Sequence, residues 1–182
     1  MNRYQRPLES EFSKDQQRVA EAITGGLRGD IPGPLLVWLR QPGLADRAQR
    51  LGEYCRYGTS LRTELVEIAI LCVARVWGSE FEWHAHKRIA LEKGVRPEII
   101  ESIRKAQRPQ WETREQEIVF DFSYAVLTDR AVGDDLFETA VGALGIDTVV
   151  DLVGILGYYS MISMTINVFD VPLPDGATPE LT

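Results

Sequence analysis

Cysteine and histidine are scarce in this chain: 182 residues hold two of each. Cys55 and Cys72 form neither a C-x-x-C pair nor a zinc-ligand spacing, so disulfide exchange and structural zinc have no motif here. Glycine-rich phosphate loops and the G-x-S-x-G nucleophile elbow are also missing. Basic residues are in deficit, 20 Lys and Arg against 27 Asp and Glu, for a net charge of −7. The basic runs, Arg47–Arg50 and Arg96–Arg108, are short, and acidic residues interrupt the second. A nucleic acid, which needs clustered cations along its phosphates, is therefore excluded as a main partner. No apolar run is long enough for a membrane span. The longest uncharged one, Leu152 to Asn167, falls short of the ~20 residues required and contains Ser160, Ser163, Thr165 and two tyrosines. It reads as a buried helix, with no membrane partner. The first ten residues are polar and no leader peptide is visible, so a cytoplasmic location is expected for a chain with so few cysteines.

What is present is an ordinary globular composition, 45% hydrophobic and 26% charged. The length suits one domain with a real core. Strand alternation with hairpin punctuation is absent. The apolar periods are helical and the breaks are Gly or Pro, which predicts an all-α fold. Residues 1–11 show no period and are expected to form an extended arm. Helices are expected over Phe12–Leu27, capped by Ser10 or Ser13, then Leu35–Arg40 and Leu44–Tyr57. Thr59 or Ser60 is the expected cap of Leu61–Trp77. That helix is apolar on nearly every side from Leu65 onward, so it should be buried all round, with Cys72 as a small core residue. Gly78 ends it. Ser79 begins the next, to Lys93, with Ser79 and Glu82 spaced as a capping box. A short helix to about Ala106, a long one over Trp111–Asp129, one capped by Asp134 and a last one capped by Asp147 complete the series. Residues 170–182, rich in Pro and Gly, form an extended tail.

Ionisable residues gather beside the most apolar part of the chain. Eleven residues separate Glu67 from Ser79, two separate Ser79 from Glu82, and three separate Glu82 from His86. On a helix Ser79, Glu82 and His86 share one face. A tight turn at Gly78 would fold the two helices antiparallel and bring Glu67 against them. Two carboxylates and an imidazole in an apolar pocket can do acid/base chemistry, because burial and mutual repulsion spread their pKa values. Each residue also has a structural reading. Glu82 can serve only as the capping partner of Ser79, Glu67 can pair with an arginine such as Arg75, and His86 can be an interior histidine. Trp83 can be packing or a stacking surface for a substrate. His84 should face elsewhere, toward the surface or a subunit contact. No metal is expected, since the set holds one histidine and no cysteine.

The frame Glu67, Ser79-x-x-Glu82, His86 resembles the carboxymuconolactone decarboxylase and alkylhydroperoxidase D-like family. Its thiol branch has cysteines where this chain has Ser79 and Glu82. The apolar helix before the motif and the Gly94-Val95 turn after it are similar too. So are Trp38-Leu39-Arg40-Gln41-Pro42 upstream and Asn167-Val168-Phe169-Asp170-Val171-Pro172-Leu173-Pro174 near the end, so the likeness covers roughly residues 30–175. It implies a compact multi-helix bundle that assembles with itself, from dimer to hexamer, often with the site near a subunit contact. Without the cysteine pair, thiol-dependent peroxide reduction is excluded. What remains resembles the acid/base side of the family: a lyase or isomerase of aromatic catabolism like the lactone decarboxylases, with a small-molecule substrate and no cofactor. The resemblance assigns His86 as proton donor or oxyanion partner and Glu67 as the group that orients it. Glu82 becomes a relay or a ligand for a substrate hydroxyl, with Ser79 and Trp83 at the substrate. An acidic substrate would need an arginine from Arg62, Arg75 or Arg88. The alternatives are an antioxidant-type protein working by another chemistry, and a helical assembly protein with a relict site.

Overall fold

The computed structural model of the protein describes residues 3–174 and 176–181. Among them the regular structure is helical, with no strand. The α-helices are α1 (Lys14–Thr24), α2 (Gly33–Trp38), α3 (Pro42–Glu53), α4 (Thr63–Trp77), α5 (Glu80–Glu92), α6 (Pro97–Arg104), α7 (Arg114–Tyr124), α8 (Asp134–Leu144) and α9 (Ile146–Phe169). Two of them run on into single π-helical turns, α3 into Tyr54–Gly58 and α7 into Ala125–Asp129.

α4 is the centre. Leu65 through Ala74 are all buried, as its apolar surround predicts, and α5, α7 and α9 pack on its sides. α9 has the length and composition of a membrane span, with a mean hydropathy of 1.6. It is nevertheless a core helix: Leu152, Ile155, Leu156, Tyr158, Tyr159, Ile162 and Ile166 are buried in the same cluster as α4. It is longer than the uncharged run because Asp147 and Asp151 lie in its first two turns.

The helix starts differ from expectation where a side chain found a better partner. Ser13 forms a full capping box with Gln16. Ser60 does not cap α4, whose N-cap position is Arg62. Instead the Ser60 amide and hydroxyl both donate to Asp151 Oδ2, and the Tyr54 hydroxyl donates to Oδ1 at 2.6 Å. One α9 carboxylate thus fastens the π-turn and the loop after it. Asp134 and Asp147 sit within the first turns of α8 and α9, behind Gly133 and Gly145, where an acidic side chain still opposes the positive helix end. The Ser79–Glu82 capping box is not formed: Ser79 occupies the N-cap position of α5 without a side-chain cap. Gly78 adopts a left-handed φ of +59°, which lets the Ser79 amide reach back to the Ala74 carbonyl at 2.8 Å and folds α5 against α4.

In the arm, Glu9–Glu11 makes a 3-10 turn; Met1 and Asn2 lie outside the described residues. The tail is extended but tied down. Glu80 accepts the amides of Glu180 and Leu181, each at 2.8 Å, and Arg104 donates to the Glu180 carbonyl at 2.9 Å.

Gly52 of α3 lies directly against Tyr158 of α9. A Cβ there would lie 2.0 Å from the Tyr158 hydroxyl oxygen and 2.5 Å from Arg28 Nη2. The arginine end can swing away, but the Tyr158 ring is buried in the core. Gly52→Ala is therefore expected to cost about 1–3 kcal/mol through overpacking, measured as a lower urea midpoint. An unchanged midpoint would show that the two helices can separate freely.

Candidate active site

The turn at Gly78 sets Glu67, in the second turn of α4, beside His86, in the second turn of α5. His86 Nδ1 and Glu67 Oε2 are 2.7 Å apart. Glu82, one turn before His86, places Oε2 at 3.3 Å from Nε2. It sits off the N–H direction, so this oxygen has no hydrogen-bond partner among the described residues. All three side chains are buried. Glu67 is thus paired with an imidazole and not with Arg75, which donates to the Leu181 carbonyl.

Burial alone would pull the His86 pKa down, since it penalises the charged ring. The Glu67 charge and hydrogen bond, helped by Glu82, outweigh it and push the value up to about 9. At neutral pH His86 is an imidazolium held between two carboxylates. Both ring nitrogens face carboxylates, Nδ1 toward Glu67 and Nε2 toward Glu82.

A cavity of about 480 Å³ opens onto Glu82 and His86. Leu35, Phe81, Ile89 and Ile162 give it an apolar wall, and Arg28, Arg56 and Arg88 a cationic one. Glu67 borders a second cleft, about 420 Å³, on the other side of Arg56 and Arg88. The two open onto different members of the same charged cluster.

Of the residues singled out in the sequence, Glu67, Glu82 and His86 come together. Ser79 and Trp83 do not line the cavity. Ser79 is fully enclosed, and its hydroxyl has no hydrogen-bond partner among the described residues. Trp83 is 1% exposed, and its indole nitrogen lies 3.5 Å from Glu180 of the tail. The position after Glu82 faces the core and the tail, so Trp83 is packing and not a stacking platform. His84 departs the other way: it is exposed, yet it lines the cavity mouth, because the cavity wraps α5 from Phe81 to Ile89. Arg62 pairs with Glu64 at 3.1 Å and, like Arg75, is absent from the cavity wall. Arg88 is in that wall but is shared with Glu92 at 2.9 Å. Arg28, Arg56 and Tyr159 are cavity residues that sequence reasoning missed. Each comes from an element distant in the chain. The one available signal was a tyrosine pair, Tyr158-Tyr159, inside an otherwise apolar run.

Neither cysteine offers a reactive thiolate. Burial first, then the Asp151 charge, pushes Cys55 up to about 11, and burial drives Cys72 higher still.

Three solved structures share this architecture over nearly its whole length. An alkylhydroperoxidase AhpD core protein of Ralstonia eutropha JMP134 superposes with a TM-score of 0.77 at 15% identity, covering 95% of this chain and 92% of that one. A peroxidase-related protein of Silicibacter sp. TM1040 gives 0.76 at 12% identity, over 97% and 94%. The debrominase Bmp8, in complex with 2,3,4-tribromopyrrole, gives 0.74 at 15% identity, over 93% and 90%. The chain has the alkylhydroperoxidase D-like fold. No protein-family model and no curated protein sequence matches it. The all-helical bundle expected from the motif frame is therefore the fold observed, and its neighbours include a debrominase as well as peroxidase-related proteins.

The charged cluster makes stability depend on pH. The folded pKa of His86, about 9, lies above its ordinary value of 6.5. Its contribution is complete below about 6.5 and is lost as pH rises through 9. The thermal midpoint of the wild type is expected to fall between pH 7 and 10, and His86→Gln should abolish most of that fall. A wild-type midpoint that is flat over this range would mean that His86 is not charged in the folded protein.

Proposed function

We propose that the protein is an acid/base enzyme acting on a small organic acid, a lyase or isomerase of the lactone-decarboxylase kind. The observation that carries this reading is the His86 ring, held between the Glu67 and Glu82 carboxylates at the edge of a cavity walled by Arg28, Arg56 and Arg88. A buried proton donor opposite a cationic wall suits an anionic substrate that must be protonated on carbon. The cavity volume suits one ring with substituents. A debrominase of the same fold holds a bromopyrrole, a planar five-membered ring, and an unsaturated lactone acid is of comparable size.

The chemistry balances with one proton. The carboxylate-bearing bond breaks, CO2 leaves, and its electron pair spreads onto the lactone carbonyl as an enolate. His86 delivers the Nε2 proton to carbon and becomes neutral, keeping its Nδ1–H on Glu67. Solvent then recharges Nε2. Glu67 is what makes His86 a cation, and Glu82 accepts a hydrogen bond from a substrate hydroxyl or relays the proton. Arg28 and Arg56, which have no carboxylate within ion-pair distance among the described residues, offset the two site glutamates.

Loss of an unsaturated lactone acid, followed by its ultraviolet absorbance and by CO2 release, tests the reaction. His86→Ala is expected to lower kcat/KM by about 10²–10⁴-fold with helicity intact. Glu67→Gln should also be strongly impaired, because the amide cannot sustain the imidazolium. Retained turnover in folded His86→Ala would remove His86 from the mechanism. Loss of stability in both variants, with activity falling only in proportion, would favour a relict site. Hydroperoxide consumption with a dithiol reductant should be absent, and the Cys55→Ser, Cys72→Ser double variant should match the wild type.

We also propose self-association. Ile146, Val150, Val153, Met164 and Val168 are exposed along one side of α9, and exposed apolar side chains aligned on one helix face are the kind of surface that marks an interface. Sedimentation should show an oligomer at micromolar concentration that the Val150→Glu, Val153→Glu variant dissociates. A monomeric wild type would sink this proposal.

A further inference from the structure

Tyr158 and Tyr159 are neighbours on α9, but a helix turns them about 100° apart and they have different work. The Tyr158 hydroxyl accepts from Arg28 Nη2 at 3.3 Å and is wedged against Gly52. Its role is structural. The Tyr159 ring is 2% exposed and forms part of the cavity wall together with Glu82 and His86. It meets the His86 ring edge to face, with centroids 5.0 Å apart at 84°, and the Tyr158 ring likewise at 5.2 Å and 87°. Packing thus holds it on two sides. Its hydroxyl has no hydrogen-bond partner among the described residues. A buried phenol almost always finds one. In the same wall Glu82 keeps its Oε2 sealed from solvent, 3.3 Å from His86 Nε2 and off its N–H direction. Tyr159 and Glu82 are thus polar side chains in one cavity wall, beside His86.

They are not equivalent. The Glu82 carboxylate can only accept. Burial, then the Glu82 and Glu67 charges, hold the Tyr159 pKa well above its ordinary value, so the phenol keeps its proton and can donate. A neutral donor fixed beside the imidazolium is suited to an oxygen that gains negative charge during reaction.

We propose that Tyr159 is a substrate-contacting hydrogen-bond donor that stabilises the enolate oxygen while His86 protonates carbon. This rests on the acid/base reading above and adds to it the group that holds the oxyanion. The complementary ligand carries a carbonyl or enolate oxygen toward Tyr159. It carries a hydrogen-bond donor toward Glu82.

The test uses two planar probes of similar shape, 4-nitrophenolate and neutral nitrobenzene. Binding is titrated by tryptophan fluorescence at about pH 8, below the His86 value of about 9. The wild type should prefer the phenolate. Tyr159→Phe, checked for helicity, should weaken phenolate binding about tenfold or more and leave nitrobenzene affinity unchanged, as expected for losing one hydrogen bond to a charged acceptor. Equal phenolate affinity in the variant would overturn the proposal. So would parallel loss of both probes, which would make Tyr159 a packing residue, or failure of the folded wild type to bind the phenolate. The decarboxylase reading fails by a different measurement. A wild type that turns over no lactone acid, yet shows the selective Tyr159→Phe loss, would lose the reaction and keep the oxyanion site.

Discussion

His86 carries a positive charge inside a helix pair because two carboxylates are buried with it, and much of the molecule exists to make that arrangement tolerable. Burying three ionisable groups is costly in itself. The cost is offset only while all three stay within ion-pair distance. The short turn at Gly78 supplies the register, and the apolar surround of α4 supplies the low-dielectric setting in which the Glu67–His86 bond is strong. Removing either carboxylate would leave an imidazolium under-neutralised in a core. The same interaction that charges His86 therefore also ties the α4–α5 pair together.

Around this cluster the chain divides its polar side chains between bracing and reaching. Asp151 braces, accepting three hydrogen bonds that fasten the π-turn and its loop to α9. Glu80 braces, holding two tail amides against α5. Glu82, Tyr159, Arg28 and Arg56 reach into the cavity. A net charge of −7 says nothing of this local arrangement: the overall balance is acidic, while the cavity wall concentrates arginine where the buried glutamates need a counterweight.

The helices and the Glu67–Glu82–His86 trio were legible in the sequence because both depend on short-range regularities. Helical spacing puts Glu82 and His86 on one face, and a single glycine turn brings Glu67 back to meet them. What could not be read depended on contacts across the chain. Trp83 is committed to packing by Glu180, nearly a hundred residues on. Ser60 is diverted from capping by Asp151, and Ser79 keeps the capping position but loses its partner because Glu82 turns to His86. Tyr159, Arg28 and Arg56 enter the cavity from α9, from the segment after α1 and from the end of α3, and no local pattern marks them. His84 shows the limit of a one-face argument: the cavity curves around α5, so a residue two positions from His86 can still reach its mouth.

The π-turn at Tyr54–Gly58 is, in effect, one residue of slack wound into the end of a helix, as such turns generally are. Deleting a single residue there would let α3 continue in ordinary register and shift the remaining residues of the turn by about 100° around the helix axis. Arg56 rides on that turn, so it would swing off the cavity wall while every helix kept its place. Two chains with this fold, alike in helix count and in the Glu67–His86 pair, could thus differ in the charge they present to a ligand through one insertion or deletion. Such a change would be far smaller than the sequence divergence already separating this chain from its structural neighbours.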